Sequence, residues 1–337
     1  MISPDALTTD PDDSGLLAGI DIGGTTTQVV LCDAGLRMLA RAEAPTPALV
    51  SGYAMAATAV KLVRRLLDGA GASLSGIGIG AAGVVDAVGG RVLVASDSFA
   101  GWSGFPVASV IGDALDAPAF LDNDVNAFLR GEVSTGSIAG ARDALGIMLG
   151  TGVGGALWIA GELYDGPHGA AGEIGHLPGF GDALCTCGGR GHMETLASGR
   201  SIAARYLALS GCSATAREVA QRANLGDADA RAVFAAAADA LAQGILMTVG
   251  LLDIRTIVVG GGVSRSWPLL GTLVRDALER QPPVSGATLR LEESGLGACA
   301  VALGAAARAR SELAGEGVSA RLQAVAKRAK VDGSSKN

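Results

Sequence analysis

Three glycine-rich turns, each at the end of an apolar strand-like run, constrain this chain more than any other feature. They are Asp21-Ile22-Gly23-Gly24-Thr25-Thr26, Gly150-Thr151-Gly152-Val153-Gly154-Gly155, and Gly260-Gly261-Gly262 after the run at 255–259. Backbone without side chains at a strand end brings N–H groups close to a phosphate, or lets a flat ring lie on the chain. The first turn joins apolar runs at 16–22 and 28–32, and the second joins 144–149 to 156–160, so both read as hairpins. The second spells a dinucleotide-binding glycine pattern. That pattern must open a helix, whereas a strand follows here, which argues against a nicotinamide dehydrogenase. Two similar strand–turn–strand units suggest a duplicated architecture.

The rest alternates strands and helices. Helices are expected at 48–68, 124–135, 227–252, after Ser264 and at 296–313; further strands are expected at 37–42, 77–80 and 119–121. Such alternation implies an α/β fold. Glycine is 51 of 337 residues, hydrophobic residues are 49% and aromatics only 4%, so the core is small aliphatic packing with close backbone approach. This hydrophobicity excludes disorder for the bulk of the chain. The ends, 1–15 and 315–337, read as flexible tails, the second with a helix to about 330. The first has four Asp and no Lys or Arg, unlike a secretory signal. The stretch 240–252 is too short and too polar to span a bilayer. A cytoplasmic protein is expected, and a net charge of −7 argues against nucleic-acid binding.

Two clusters carry chemistry. In Asp122-Asn123-Asp124-Val125-Asn126, Asp124 either caps the following helix or takes a proton from a substrate hydroxyl, with Asn123 orienting another hydroxyl. Asp21, at a strand end, can hold magnesium through water. The second cluster is Gly172-Glu173-Ile174-Gly175-His176, then Cys185-Thr186-Cys187, then His192-Met193-Glu194. Two of the three His in the chain fall here. His176, Cys185, Cys187 and His192 make a two-Cys, two-His set suited to tetrahedral zinc, closed and therefore structural. Cys32, Cys212 and Cys299 read as plain thiols.

The DIGGT turn, NDVNA, LGTGVGG, GEIGH, CTCGGRGHME and VVGGGV, in this order, resemble the ROK family (repressors, open reading frames and sugar kinases). The resemblance covers about 19–313. It implies a two-lobed, actin-like (ribonuclease H-like) sugar kinase fold, with duplicated mixed sheets flanked by helices. The lobes would be 16–120 and 121–295, with the helix at 296–313 packing near the first. It implies ATP-dependent phosphorylation of the 6-hydroxyl of a hexose or amino sugar: glucose, N-acetylglucosamine, N-acetylmannosamine or kanosamine. Polyphosphate is a second possible donor.

Carried over by resemblance, Asp124 is the catalytic base, and Asn123, Glu173, His176, Glu194, Gly83 and Ser98 are substrate contacts. His176 would serve both sugar and zinc. Asp21, Gly23, Gly24, Thr25, Thr26, Gly150, Thr151, Gly152, Gly154, Gly260, Gly261 and Gly262 would hold the nucleotide, with Asp21 helping to place Mg²⁺. The hairpins would sit on opposite lobes whose closure excludes water. A homodimer is implied. Three positions depart from the family pattern: His192 replaces a usual Cys, Thr26 a common Lys, and Ser98 a common Asn. A sugar-responsive transcription regulator is the alternative, disfavoured because no helix-turn-helix precedes residue 16.

Overall fold

The N-terminal apolar runs pair as a meander. The computed structural model describes residues 15–68, 70 and 72–315. Strands β1 (Leu16–Ile22), β2 (Thr26–Cys32) and β3 (Met38–Pro45) are antiparallel neighbours. Helix α1 (Gly52–Leu67), capped by the Ser51 hydroxyl on the Ala54 N–H, leads to β4 (Leu74–Ala81), which lies parallel to β1. A small hairpin of β5 (Val84–Asp86) and β6 (Arg91–Val94) precedes α2 (Val107–Leu115) and β7 (Ala119–Asn123). The resulting five-stranded sheet has the order β3-β2-β1-β4-β7.

After α3 (Asp124–Thr135) the pattern restarts with β8 (Ala144–Leu149), β9 (Val153–Ile159) and β10 (Glu162–Tyr164). A long loop leads to α4 (Glu194–Ala197), α5 (Gly199–Ser210), α6 (Ala216–Asn224) and α7 (Ala228–Leu252). Then come β11 (Thr256–Gly260), α8 (Trp267–Arg280), β12 (Arg290–Glu293) and α9 (Ala300–Leu313). The second sheet has the order β10-β9-β8-β11-β12. Its antiparallel and parallel pairings reproduce those of the first sheet strand for strand. The duplication suggested by two hairpins therefore extends to whole sheets.

The chain forms two compact units, one running to Gly131 and resuming at Val301, the other Glu132–Ala300. The division falls after 131, not after 120, because β7 is hydrogen-bonded to β4 and carries the start of α3 with it. In the first unit Ile20, Ile22, Ile77, Ile79 and Leu121 form a core with Met55, Ala59, Val63 and Ile111 of α1 and α2. The opposite face takes α9 against bare backbone. A Cβ on Gly19 would fall 1.9 Å from the Ala302 carbonyl oxygen, and one on Gly78 would fall 1.7 Å from that of Ala305. Only glycine lets the helix come so close.

In the second unit Leu145, Ile147, Leu149, Ile257 and Val259 pack with Phe234, Leu241 and Ile245 of α7 and with Leu270 and Val274 of α8. By length and hydropathy alone α7 would satisfy a bilayer. However, 61% of its most apolar window is buried inside the fold, which makes it a core helix.

Several short elements were not expected: β5, β6, β10, β12, α2, α4, α5 and α6. The last did carry a signal, since Thr215 and Glu218 form a reciprocal capping box. The expected tails lie outside the described residues apart from Gly15 and Gly315.

Candidate active site and metal loop

In the first unit the acid–amide cluster sits where β7 becomes α3. Asn123 caps that helix. Its Oδ1 accepts from the Val125 N–H at 2.9 Å and the Asn126 N–H at 3.2 Å, and its Nδ2 donates to the Gly83 carbonyl at 2.9 Å. The cap is thus Asn123, and Asp124 is the first helical residue, its Oδ1 3.0 Å from the Val125 N–H. Asn123 is largely committed to the protein, with one Nδ2 hydrogen remaining. Burial pushes the Asp21 carboxyl up to about 8, and the Asp124 charge adds to the rise. A cation beside Asp21 would relieve both the burial cost and this repulsion.

The first hairpin turn is closed by the Gly23 N–H donating to the Thr26 carbonyl at 3.2 Å. Gly24 faces the Phe99 ring, and Thr26 already belongs to β2. Ser98 is exposed in the turn after β6. Nearby Trp102 is fully buried, donates from Nε1 to the Ala82 carbonyl at 3.2 Å, and stacks against Phe99 and Phe105.

In the second unit two of the three glycine turns come together. Gly261 has φ +91°, and a Cβ there would lie 2.6 Å from the Leu149 carbonyl oxygen, immediately before Gly150. The Gly150 N–H donates to the Gly152 carbonyl at 3.0 Å, and the Gly150 carbonyl accepts from the Gly199 N–H at 2.9 Å at the start of α5. The turn is shorter than expected: Gly154 lies inside β9, opposite Met148.

The metal-type loop gathers as expected. One ligand atom from each of His176, Cys185, Cys187 and His192 lies within 4.8 Å of the others. Tetrahedral zinc, with bonds of about 2.3 Å to sulfur and about 2.1 Å to nitrogen, needs ligand separations of roughly 3.4–3.8 Å. The four donors therefore fit zinc with a small contraction. Burial, reinforced by the Glu194 carboxylate, pushes the Cys185 thiol up to about 11, and a bound metal would displace its proton.

Glu194 is held by three donors of the protein. It is buried, and its Oε1 accepts from Cys185 Sγ at 3.0 Å and Thr186 Oγ1 at 3.1 Å, while Oε2 accepts from the Val153 N–H at 3.4 Å. Burial alone would raise this carboxyl, but these bonds and the nearby His176 outweigh it and hold it low. Arg200 adds an ion pair at 3.7 Å. His176 Nδ1 is 3.1 Å from Glu173 Oε2, which leaves one ring nitrogen. To serve zinc and sugar together the imidazole must release Glu173, which frees Nδ1.

Sequence reasoning missed two buried charge systems. Asp122, next to Asn123 in β7, pairs with Arg130 Nε at 3.3 Å and with the buried Arg308 at 3.4 Å. Glu132, fully buried in α3, accepts from Ser137, Ser294, Gly295 and Leu296 at 2.5–3.2 Å. An acid at a strand end or within a helical run carries no mark of burial, so nothing in the sequence separated these from solvated acids.

A mixed sheet repeated in two units, with glycine turns at the strand ends and an Asn-Asp pair opening a helix, defines the actin-like class to which sugar kinases belong. The chain belongs to the ROK family, whose family model matches residues 17–312. It is 32% identical to a glucokinase of Halalkalibacterium halodurans over 269 residues, 74% of this chain and 80% of that protein. It is 33% identical to an N-acetylmannosamine kinase of Escherichia coli O157:H7, over 78% of this chain and 88% of the relative. The solved ROK family glucokinase from Streptomyces griseus, in complex with glucose and AMPPNP, superposes with a TM-score of 0.73 at 30% identity. It covers 88% of this chain and 100% of that one.

Proposed function

We propose that this protein transfers the γ-phosphoryl group of ATP to the 6-hydroxyl of a hexose or amino sugar, with Asp124 as general base. The observation that carries this reading is the division of labour at the β7–α3 junction. Asn123 takes the helix cap, so Asp124 is not needed for capping, and it stands within the field of Asp21. As the sugar oxygen attacks the γ-phosphorus, Asp124 accepts the hydroxyl proton. The bond to the bridging oxygen breaks and ADP departs. Catalysis of this kind rests on positioning and charge neutralisation.

Asp21 is the residue proposed to hold hydrated Mg²⁺, and that ion when bound supplies charge neutralisation at the terminal phosphates. Phosphates and adenosine are assigned to Gly23, Gly24, Thr25 and Thr26, to 150–152, and to 260–262. Glu173, His176, Gly83, Ser98 and the remaining Asn123 hydrogen are the proposed sugar contacts. Glu194 supports them by bracing the metal loop, and zinc on His176, Cys185, Cys187 and His192 would keep that loop in shape. A homodimer belongs to the same reading. Relatives named for glucose and for N-acetylmannosamine support the class and leave the sugar open. The test is a coupled assay across hexoses and amino sugars with ATP and with polyphosphate. Sugar-dependent ADP release supports the reading. Absence of turnover on every sugar, with a sequence-specific footprint on duplex DNA, replaces it by the regulator.

A further inference from the structure

Across the first sheet one row of residues lies in register: Glu43 on β3, Gln28 on β2, Asp21 on β1, Gly80 on β4 and Asp122 on β7. Side chains of one row share a face, and directly opposed Cβ atoms lie roughly 4.5–5.5 Å apart. The face is the one that carries α3 and α9, since a Cβ on Gly80 would touch Val301 and Ala127. Gln28 is 5% exposed, and its buried Oε1 has no hydrogen-bond partner among the described residues. Buried acceptors are rarely left so, because an unmade bond costs about 1–3 kcal/mol. Its row neighbours Asp21 and Glu43 bring no N–H to it. What the acceptor lacks is a donor, at a strand position directly opposite Asp21.

The duplicated sheet shows that the fold does not need this arrangement. The corresponding pair, also penultimate to its hairpin turn, is Met148 opposite Gly154, and Met148 likewise neighbours a glycine, Gly260, on the parallel strand. An apolar pair serves the same backbone position there. A glutamine and an aspartate in the first sheet therefore answer to a ligand and not to strand packing.

We infer that Gln28 is a positioning residue for the divalent cation: its Oε1 accepts a hydrogen bond from a water of the hydrated magnesium held beside Asp21. Magnesium dehydrates reluctantly and keeps several waters when bound by one or two carboxylates. Those waters are strong donors, and a buried carboxamide oxygen is a fixed acceptor for one of them. The inference rests on the kinase reading, and it adds a residue that acts through water and touches neither sugar nor phosphate.

The test uses the full chain and reads magnesium-dependent binding of AMPPNP by calorimetry, without turnover. Gln28→Met keeps the length and removes the acceptor; Gln28→Glu keeps an acceptor. Outer partners of a metal site typically contribute 10–100-fold in metal affinity, so the Met variant is expected to raise the magnesium midpoint about tenfold. The Glu variant should stay near wild type, the sugar Kd read by the same calorimetry should be unchanged, and the Tm of the ligand-free Met variant should not fall. A Met variant with a wild-type magnesium midpoint overturns the role of Gln28 while leaving the kinase reading intact, and a lowered Tm with that midpoint marks the residue as structural. Wild-type protein that binds AMPPNP with no magnesium dependence overturns both.

Discussion

The Cys185 thiol donates to Glu194 Oε1 across 3.0 Å, while Glu194 Oε2 accepts from the Val153 N–H at the start of β9. One buried carboxylate thus ties the metal loop to the strand that leaves the glycine turn at 150–152. Loss of metal-loop order should therefore be felt at that turn as well as at Glu173 and His176. Cys187→Ser is expected to lower zinc from about one per chain and to raise the sugar KM, with a smaller rise for ATP. His192→Cys should retain metal, since either residue completes a tetrahedral set. Elemental analysis beside KM for both substrates checks this. Metal-free wild-type protein with full activity would show that hydrogen bonds alone organise the loop.

Asp124→Asn should lower kcat by about a hundredfold or more, the usual scale of a lost general base. The fold should survive, because the helix cap is supplied by Asn123. Asn123→Ala should lose about 1 kcal/mol of stability from the missing cap and raise the sugar KM, with kcat falling far less than in the Asp124 variant. Thermal unfolding and steady-state kinetics on both variants separate the two roles, and near-normal turnover in the Asp124 variant would sink the assignment.

Much of this was legible because it depends on local pattern. Apolar runs closed by glycine turns located β1, β2, β8 and β11, and the helix at 124–135 matches α3. The metal set was legible because Cys and His are scarce in this chain and clustered within 176–192. What escaped depends on tertiary burial. In sequence, Asp122 and Glu132 look like any acids beside a helix, yet both are buried and bonded several times over. Gly154 read as turn because spelling alone does not show where a hairpin ladder begins, which is set by the Leu149–Val153 pair. The short β12, Arg290–Glu293, is charged along most of its length and gains its place only by pairing with β11.

Asp122 offers a direct test of such burial. It faces Arg130 and Arg308, the latter 4% exposed and paired also with Glu312 at 3.2 Å. Asp122→Asn leaves two guanidinium groups without their shared anion. Breaking a buried ion pair in this way typically costs about 3–5 kcal/mol. Urea unfolding should show that loss, and Arg308→Met in the same chain should recover part of it. A variant as stable as wild type would mean that water reaches these charges.

Asp21 makes stability and function oppose each other with a defined pH dependence. Burial first, and then the Asp124 charge, raise its carboxyl from 3.8 to about 8 in the folded chain. Between those values the folded state holds a proton that the unfolded state has released, so stability falls as pH rises through the window. Above pH 8 the whole penalty is present; below 3.8 it vanishes. Asp21→Asn removes the charge and keeps the shape. The ligand-free variant should therefore melt higher than wild type at alkaline pH, by roughly 2–4 °C for each 1 kcal/mol relieved. The difference should shrink steadily on acidification and be gone near pH 4, the ordinary carboxylate range. Turnover should fall in the same variant, because the charge that strains the empty site is the one assigned to the cation. Melting curves from pH 4 to 9 without nucleotide provide the measurement. A gain that is flat with pH would show that the substitution acts through packing and not through the buried charge.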